Sequence, residues 1–181
     1  MKKISITTKT GDRGHTRLFS GEDVSKNSRR LDAYGDLDEL VSLLSIARHK
    51  LQDQNLKQDI LSLQRNLFIV GSELATTDKK LDTLPQRVDS SMLKSLEKEM
   101  KALEDSVEIP RGFVIPGNSL GASYLDYARA ISRRLERKVA GLLEDKMLKN
   151  ETLLVWLNRL SDYLYLMARK EEKKFLLVKK S

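Results

Sequence analysis

The most informative segment of this chain is residues 113–138, FVIPGNSLGASYLDYARAISRRLERK. Pro116 and Gly117 predict a break in the backbone. Asn118 or Ser119 can cap the helix that follows, because a short polar side chain accepts hydrogen bonds from the free N–H groups of a first turn. Apolar residues then recur at steps of three and four, which places them on one side of a helix. They are Leu120, Tyr124, Ala128, Ile131, Leu135, Val139 and Leu142.

A column of arginines stands on a neighbouring face of the same predicted helix. Arg129, Arg133 and Arg137 are each four residues apart, and like charges at that spacing repel one another by a few tenths of a kcal/mol per pair. An acidic side chain, a phosphate chain, or only water and salt could neutralise this column. Most charge runs are solvated surface, but planar guanidinium donors also suit phosphate oxygens. The helix alone leaves these interpretations open.

Length and composition favour one domain with few options for covalent or metal chemistry. The 181 residues suffice for a hydrophobic core, and they include no cysteine and only two histidines, His15 and His49. Disulfides, a thiol nucleophile and cysteine-bound metals are excluded, and we predict no metal ligands from the protein.

The net charge of +7 favours anionic partners. No apolar run approaches a membrane span and the N-terminus is too polar for a secretory signal, so the cytoplasm is the expected location.

The first thirty residues contain much of the turn chemistry. Gly11, Gly14 and Gly21 permit tight or positive-φ turns, and threonines and cations are interleaved with them. Such a loop can wrap phosphates with its backbone N–H groups, although it matches neither the Walker motif nor the dinucleotide-binding motif. Turn residues by themselves favour an ordinary flexible terminus.

Four further segments show helical periodicity. We predict helices from Asp32 to about Leu51, from Asn55 to Ala75, from Val88 to Leu103, and from Glu151 to Lys170 or beyond. No stretch shows convincing strand alternation. Five long amphipathic helices with short connections predict an all-α, five-helix up-and-down bundle. We expect one domain over residues 1–181, with a loop at 1–30 and the bundle at about 31–175.

An acidic cluster lies in the early turns of the first predicted helix, at Asp36, Asp38 and Glu39. Negative charge at this position complements the helix dipole, which is a sufficient structural reason for the cluster. Alternatively, one of these residues, Asp38 for instance, pairs with an arginine of the 113–138 helix.

Three sequence blocks occur in a distinctive order. They are TKTGDRGHT (8–16), with Lys26 and YGDLDEL (34–40) downstream; FVIPGNS…AR…SRRLERK (113–138); and WLNRLSDYLYLMAR (156–169). In this order and at these separations the chain resembles the PduO-type ATP:cob(I)alamin adenosyltransferases, from about residue 5 to residue 170. The two middle helices carry no comparable signature.

The resemblance implies a fold, an assembly and a reaction. The fold is the family's five-helix bundle, and the assembly is a homotrimer with active sites at subunit interfaces. The reaction transfers the 5′-deoxyadenosyl group of ATP to the cobalt of a reduced corrinoid, cob(I)alamin or cob(II)alamin, giving adenosylcobalamin and triphosphate in the last steps of its formation or salvage. Mg²⁺ accompanies the nucleotide. A flavoprotein reductase and an adenosylcobalamin-dependent client enzyme are candidate partners, and neither nucleic acid nor a membrane is implied.

By the same resemblance, the family's functional positions fall on particular residues of this chain. The nucleotide-binding positions fall on Thr8, Lys9, Thr10, Gly11, Thr16, Arg17 and Lys26, and the RRxER block falls on Arg133, Arg134, Glu136 and Arg137. The asparagine of LNRLSD is Asn158. Asp38 matches the aspartate of the DEL segment, whose expected partner is Arg129. Phe113 matches the aromatic residue that closes the lower face of the corrin ring, although a lone aromatic is more often a core residue.

Two positions depart from the family pattern, and two other functions fit parts of the sequence. Asp126 stands where the family often has histidine, and Asn118 stands where a second glycine is common, so corrinoid affinity or preference could differ.

The net charge and the lysine-rich C-terminal end also suit a basic helical adaptor for nucleic acid or acidic proteins. A nucleotide or corrinoid sensor or carrier would keep the fold without turnover.

Overall fold

The computed structural model describes residues 7, 9, 11–172 and 174–178, and it confirms the helical bundle. Within this part of the chain there are five α-helices, α1 to α5, and a short 3₁₀ helix. The α-helices are Arg29–Lys50, Gln54–Leu74, Ser90–Glu104, Leu120–Glu144 and Glu151–Glu171, and the 3₁₀ helix is Asp78–Thr83. None of the helices in the described ranges is long and apolar enough to cross a membrane.

Short polar side chains set where the helices begin. Ser28 caps α1 by accepting a hydrogen bond from the backbone N–H of Leu31 at 3.4 Å, so α1 begins three residues before the predicted Asp32. Of the two candidate caps for α4, Ser119 is the one used, because its hydroxyl accepts from the N–H of Ala122 at 3.1 Å. The side-chain amide of Asn118 instead donates to the carbonyl of Lys174 at 2.7 Å.

The long helix α4 lies at the centre of the packing. It contacts α1 on one side and α5 on the other, while α2 packs outside α1 and α3 packs outside α5. The predicted seam of α5 is fully buried at Leu153, Leu157, Leu160, Leu164 and Met167. The apolar face of α4 is also buried from Ala128 to Leu142, whereas Leu120, at the start of the helix, is exposed.

Two small antiparallel sheets correct the expectation that the chain contains no strands. Strand β1 (His15–Arg17) pairs with β2 (Asp23–Ser25) in an N-terminal hairpin, and β3 (Val114–Ile115) pairs with β4 (Leu176–Leu177). Strands of two or three residues are too short to show alternation in a sequence. The second sheet joins the loop before α4 to the segment after α5, and no local pattern predicts that pairing.

Candidate functional site

The N-terminal hairpin carries the predicted nucleotide-binding residues that lie in the described ranges. Thr16 and Arg17 are on β1, and the backbone N–H of Lys26 donates to the carbonyl of Gly14 at 2.8 Å. A Cβ atom at Gly11 would lie 2.9 Å from Nζ of Lys26, so a larger residue there would displace the end of the lysine side chain. Lys9 is exposed with a φ of 57°. The predictions for Thr8 and Thr10 lie outside the described residues.

A cleft of about 510 Å³ opens between this hairpin and α1, and we call it the hairpin cleft. It brings the predicted residues Thr16, Arg17, Lys26 and Asp38 together with Phe19 and Tyr34, which the sequence did not single out. An adjoining apolar groove between α1 and α2 is also lined by Phe19, Tyr34 and Asp38. Aromatic side chains beside cations and hydroxyls are suited to hold a base and its phosphates.

Polar side chains attach the hairpin turn to the segment after α2. The Ser20 hydroxyl donates to the Glu22 carboxylate, and the Thr77 hydroxyl donates to Oε1 of the same carboxylate at 3.1 Å. Nζ of Lys80 donates to the Ser20 carbonyl at 2.6 Å and lies 3.3 Å from Glu22 Oε1. No local pattern in the sequence predicts this anchor, because its two sides are more than fifty residues apart.

The anchor should hold at neutral pH and weaken in strong acid. The hydrogen bond from Ser20, with smaller contributions from Thr77 and Lys80, lowers the pKa of Glu22 from 4.5 to about 2. A carboxylate whose pKa is lower in the folded state stabilises that state fully above its unfolded pKa. Its contribution is therefore present above about pH 4.5 and is lost as the pH falls towards 2.

Glu22→Gln should loosen the hairpin at neutral pH without unfolding the bundle. The neutral amide keeps the size of the side chain but removes the negative charge that Ser20, Thr77 and Lys80 contact. We expect trypsin to cleave after Arg13, Arg17 and Lys26 about fivefold faster, because segments with weaker anchors open locally more often. Mass spectrometry of timed digests measures this rate.

The control is Asp23→Asn, which removes only an exposed contact with His15. Equal cleavage of both variants would contradict the role of the anchor.

The arginine column of α4 is only partly neutralised by the chain itself. Arg129 Nε lies 3.8 Å from Oδ1 of Asp126. Arg133 and Arg137 are exposed, and neither forms an ion pair with an acidic side chain among the described residues; Arg137 donates to the Arg133 carbonyl at 3.1 Å. Two guanidinium groups one turn apart thus remain available for an anion, which is the property expected of a phosphate site.

Arg134 faces away from this column. Its Nε donates to Oδ2 of Asp36 at 2.9 Å and its Nη2 donates to Glu39, so it joins α4 to α1. The hydrogen bond with Asp36 raises the pKa of Arg134. Lys138 also contacts Asp36, at 3.0 Å. In this conformation Arg134, which was predicted to bind the nucleotide, is held by two acidic side chains of its own chain.

Two predicted residues from different helices meet directly. Nδ2 of Asn158 on α5 donates to Oε1 of Glu136 on α4 at 2.9 Å. Nη1 of Arg159 donates to Oδ1 of Asn158 at 2.9 Å, and its Nε donates to Glu97 of α3 at 3.3 Å. The amide of Asn158 is therefore oriented from both ends. Sequence reasoning missed Arg159 and Glu97, although Arg159 lies inside the LNRLSD block.

A second cleft, of about 340 Å³, lies among α3, α4 and α5, and we call it the arginine cleft. It is lined by Arg129 and Arg133 of α4 and by Ser161, Asp162 and Tyr165 of α5. Among the described residues, no three acidic or histidine side chains come together as a metal site would require. The cleft thus combines two guanidinium groups and two hydroxyl groups with the carboxylates of Glu104 and Asp162.

Asp38 and Arg129 do not meet within one chain, so the expected pair between them stays a prediction. Asp38 lines the hairpin cleft, on the side of α1 that faces α2, whereas Arg129 lines the arginine cleft near α5. The acidic residues of α1 that do contact α4 are its neighbours Asp32, Asp36 and Glu39. Successive helical residues point about 100° apart, so these residues face α4 while Asp38 does not.

Phe113 is not a core residue, because 84% of its surface is exposed. It stands in the loop before α4, next to β3, where its carbonyl accepts a hydrogen bond from the N–H of Val178 at 2.9 Å. Ile115, Leu176, Leu177 and Val178 are also exposed around it. An exposed apolar patch of this kind commonly marks a ligand or partner surface.

Comparison with known proteins identifies the family. The family model described as cobalamin adenosyltransferase matches residues 6–171. A corrinoid adenosyltransferase of Citrobacter freundii is 38% identical over 92% of this chain and 94% of its own length. The corrinoid adenosyltransferase PduO of Salmonella typhimurium is 36% identical over 93% of this chain, which spans about half (50%) of that relative.

A solved structure shares the fold of nearly all of this chain. It is a phenylalanine-to-alanine variant of a PduO-type ATP:corrinoid adenosyltransferase from Lactobacillus reuteri, complexed with cobalamin and ATP. The TM-score is 0.88 at 30% sequence identity, and the match covers 97% of this chain and 100% of that one. With the family model spanning both clefts, these similarities show that the chain belongs to the cobalamin adenosyltransferase family.

Proposed function

We propose that this chain transfers the 5′-deoxyadenosyl group of ATP to the cobalt of a reduced corrinoid and releases triphosphate. The observation that carries the proposal is family membership over residues 6–171, which include both clefts and all the described candidate residues. The complex of the Lactobacillus reuteri enzyme with cobalamin and ATP supports the same pair of substrates. The guanidinium groups of Arg133 and Arg137, which form no ion pair within the described part of the chain, support a polyanionic ligand.

The proposed reaction needs no nucleophile from the protein. The electron pair of Co(I) forms a bond to the 5′ carbon of ATP, and the bond from that carbon to the phosphate oxygen breaks. The bonding electrons leave with triphosphate, and cobalt becomes formally Co(III). Catalysis therefore consists of aligning the carbon with the cobalt and stabilising charge on the leaving group. Cationic side chains in two clefts, in a chain without cysteine, suit that task.

We assign the candidate residues to three tasks. Thr16, Arg17 and Lys26 of the hairpin, with Lys9, Gly11 and the residues at positions 8 and 10, would hold the nucleotide. Arg133 and Arg137 would stabilise the departing triphosphate, with Asn158 oriented beside them by Glu136 and Arg159. Arg134 would contribute only if it left Asp36 and Glu39. Phe113 would lie against the axial face of the corrin ring, for which its exposure is suited.

Mg²⁺ would enter with ATP. Magnesium in nucleotide sites is usually coordinated by phosphate oxygens and water with few protein ligands. The two clefts fit this arrangement, because their cations and hydroxyls can contact phosphate oxygens, and no three acidic or histidine side chains come together among the described residues.

We further propose that a complete site forms between copies of the chain, as in a homotrimer. The hairpin cleft and the arginine cleft lie on different sides of the bundle, with Asp38 in one and Arg129 in the other. Repeated head-to-tail contacts would bring the first cleft of one copy to the second cleft of the next, and a rotation of one third of a turn between copies would close them into a ring of three. The expected Asp38–Arg129 pair would then form across the interface.

Four predictions from the sequence remain predictions. They are a cytoplasmic location, a flavoprotein reductase that supplies the reduced corrinoid, a client enzyme that takes the product, and a single domain comprising loop 1–30 and a bundle at about 31–175. The reaction class supports the two protein partners, since its substrate must be reduced and its product is a cofactor.

The test of the reaction is an anaerobic spectrophotometric assay. Cob(I)alamin is generated chemically, ATP and Mg²⁺ are added, and the Co(I) absorbance is followed with and without the protein. We expect protein-dependent loss of that absorbance, a photolabile product and one triphosphate per turnover. ATP binding without turnover would favour the sensor or carrier, and failure to bind ATP would overturn the proposal.

A mixing experiment tests the shared site. Lys26→Ala damages the hairpin cleft and Arg133→Met damages the arginine cleft, so each protein alone should be nearly inactive. If each site takes one cleft from each of two copies, an equimolar co-refolded mixture should recover about a quarter of the wild-type activity, because either cleft is intact with a probability of about one half. Absence of recovery would show that both clefts serve one site within a single chain.

A further inference from the structure

A buried cluster of charges lies where the end of α5 meets the beginning of α4. Nη2 of Arg169 donates to Oδ2 of Asp126 at 2.6 Å, and Nε of Arg169 lies 3.0 Å from Oε2 of Glu172. The side chains of Arg169, Asp126 and Glu172 are only 1%, 7% and 0% exposed. We call this group the Asp126–Arg169–Glu172 bridge.

Three buried charged side chains are unusual in the core of a helical bundle. Burying ions is costly unless they are paired, and here one guanidinium group faces two carboxylates. Burial raises the pKa of Glu172, and the nearby Asp126 raises it further, while Arg169 and the backbone of Asn118 lower it. Both Glu172 oxygens are buried without a well-aligned hydrogen bond among the described residues. Arg169 also lies 4.9 Å above the ring of Tyr165, which restricts its orientation.

The bridge controls the path of the chain after α5. Glu172 is the C-cap residue of that helix, and its N–H donates to the carbonyl of Ala168 at 3.2 Å. The next described residues, 174–178, follow the helix and include β4. Because Glu172 is fixed by Arg169, and Arg169 is fixed by Asp126 of α4, the bridge sets where this segment begins relative to α4.

The segment after α5 in turn holds the loop that carries Phe113. Val114 and Ile115 pair with Leu177 and Leu176, and the N–H of Val178 donates to the Phe113 carbonyl at 2.9 Å. The Asn118 side chain donates to the Lys174 carbonyl at 2.7 Å. Phe113 itself is exposed, so core packing does not fix its position. Gly112 and Gly117 lie on either side of the β3 residues and have φ angles of +126° and +121°. Because glycine has no side chain, the backbone at these two positions can adopt many conformations.

We propose that Asp126, Arg169 and Glu172 are positioning residues for the axial face of the corrinoid site. This inference rests on the proposed function and on the assignment of Phe113 to that face. The bridge acts through β4, which holds β3 and therefore the exposed Phe113 side chain. All three side chains are at most 7% exposed, so we assign them an indirect role rather than contact with the substrate.

The experiment combines amide hydrogen exchange with steady-state kinetics on the full chain. Glu172→Gln removes one charge of the bridge at constant size, and Asp126→Asn removes the other carboxylate from the opposite end. Glu144→Gln is the matched control, because Glu144 is exposed at the last residue of α4. Exchange is measured without corrinoid, so that this readout does not depend on the reaction.

We expect both bridge variants to exchange the amides of β3, β4 and Val178 about tenfold faster than wild type, with the middle of α1 unchanged, because a charge-assisted anchor of one local segment is lost. In the adenosyl-transfer assay, the KM for cob(I)alamin should rise about fivefold while the KM for ATP stays within about twofold. Glu144→Gln should match wild type in both measurements.

Each alternative outcome overturns the inference at a different point. Unchanged exchange in β3 and β4 would show that the bridge does not hold the loop. Faster exchange throughout the bundle would show a general contribution to stability instead. Faster local exchange with an unchanged KM for cob(I)alamin would separate the loop from the corrinoid site. If wild type catalysed no transfer, the proposed function would fail, and the inference that rests on it would fall even if exchange showed that the bridge holds the loop.

Discussion

Arg133→Met is expected to lower kcat/KM for adenosyl transfer by about 10²–10³-fold, which is the usual effect of removing one donor that stabilises a developing negative charge. Arg133 lines the arginine cleft and is exposed, without an acidic partner in the described part of the chain. Methionine keeps most of the stem but cannot donate to phosphate. Because no buried charge loses its partner, the fold should survive the change.

The measurement is the loss of Co(I) absorbance at several ATP concentrations, with circular dichroism to confirm folding. Arg65→Met is the matched control, since Arg65 is an exposed arginine on α2, away from both clefts. Arg133→Lys should recover only part of the activity, because an ammonium group cannot make the planar two-point contact of a guanidinium group. An Arg133→Met protein with kcat/KM close to that of the control would remove Arg133 from the site.

Trp156→Ala is expected to lower the free energy of unfolding by about 3–5 kcal/mol, as large aromatic deletions in a packed core do. Trp156 is fully buried on α5 and belongs to the main hydrophobic cluster. Alanine would leave a cavity that the neighbouring residues of the closely packed core could fill only in part.

Urea unfolding followed by circular dichroism measures this change, since the substitution removes the only tryptophan and its fluorescence. All variants should be compared at one protein concentration, because assembly would add to the apparent stability. The neighbouring Val155→Ala is the control, because Val155 is 39% exposed. If both substitutions destabilised the protein equally, Trp156 would not be part of the core that we describe.

The family relationship explains why much of the candidate site could be named from short blocks. The resemblance identifies the hairpin residues and Asn158, whereas helical spacing alone shows the arginine column, and the structure brings Thr16, Arg17 and Lys26 into one cleft. It also joins Glu136 to Asn158. The roles of these residues remain proposals, and the Arg133 and mixing experiments address them directly.

Residues outside those blocks were missed for an identifiable reason. Glu22 anchors the hairpin through Thr77 and Lys80, and Glu172 contacts Arg169 beneath the Phe113 loop. In a sequence these are ordinary surface glutamates, because nothing local distinguishes a buried or hydrogen-bonded carboxylate from a solvated one. Only the tertiary structure shows which element each glutamate contacts.

The helices were accessible from the sequence alone, since each depends on apolar periodicity within a few turns and on a local cap such as Ser119. The seam of α5 is buried at every predicted position for the same reason. The pairing of β3 with β4, the attachment of Arg134 to α1 and the separation of Asp38 from Arg129 were decided by tertiary structure. These features depend on which distant segments lie side by side, and a partner for a charge or a strand is chosen by proximity in space rather than by the residues beside it in the chain.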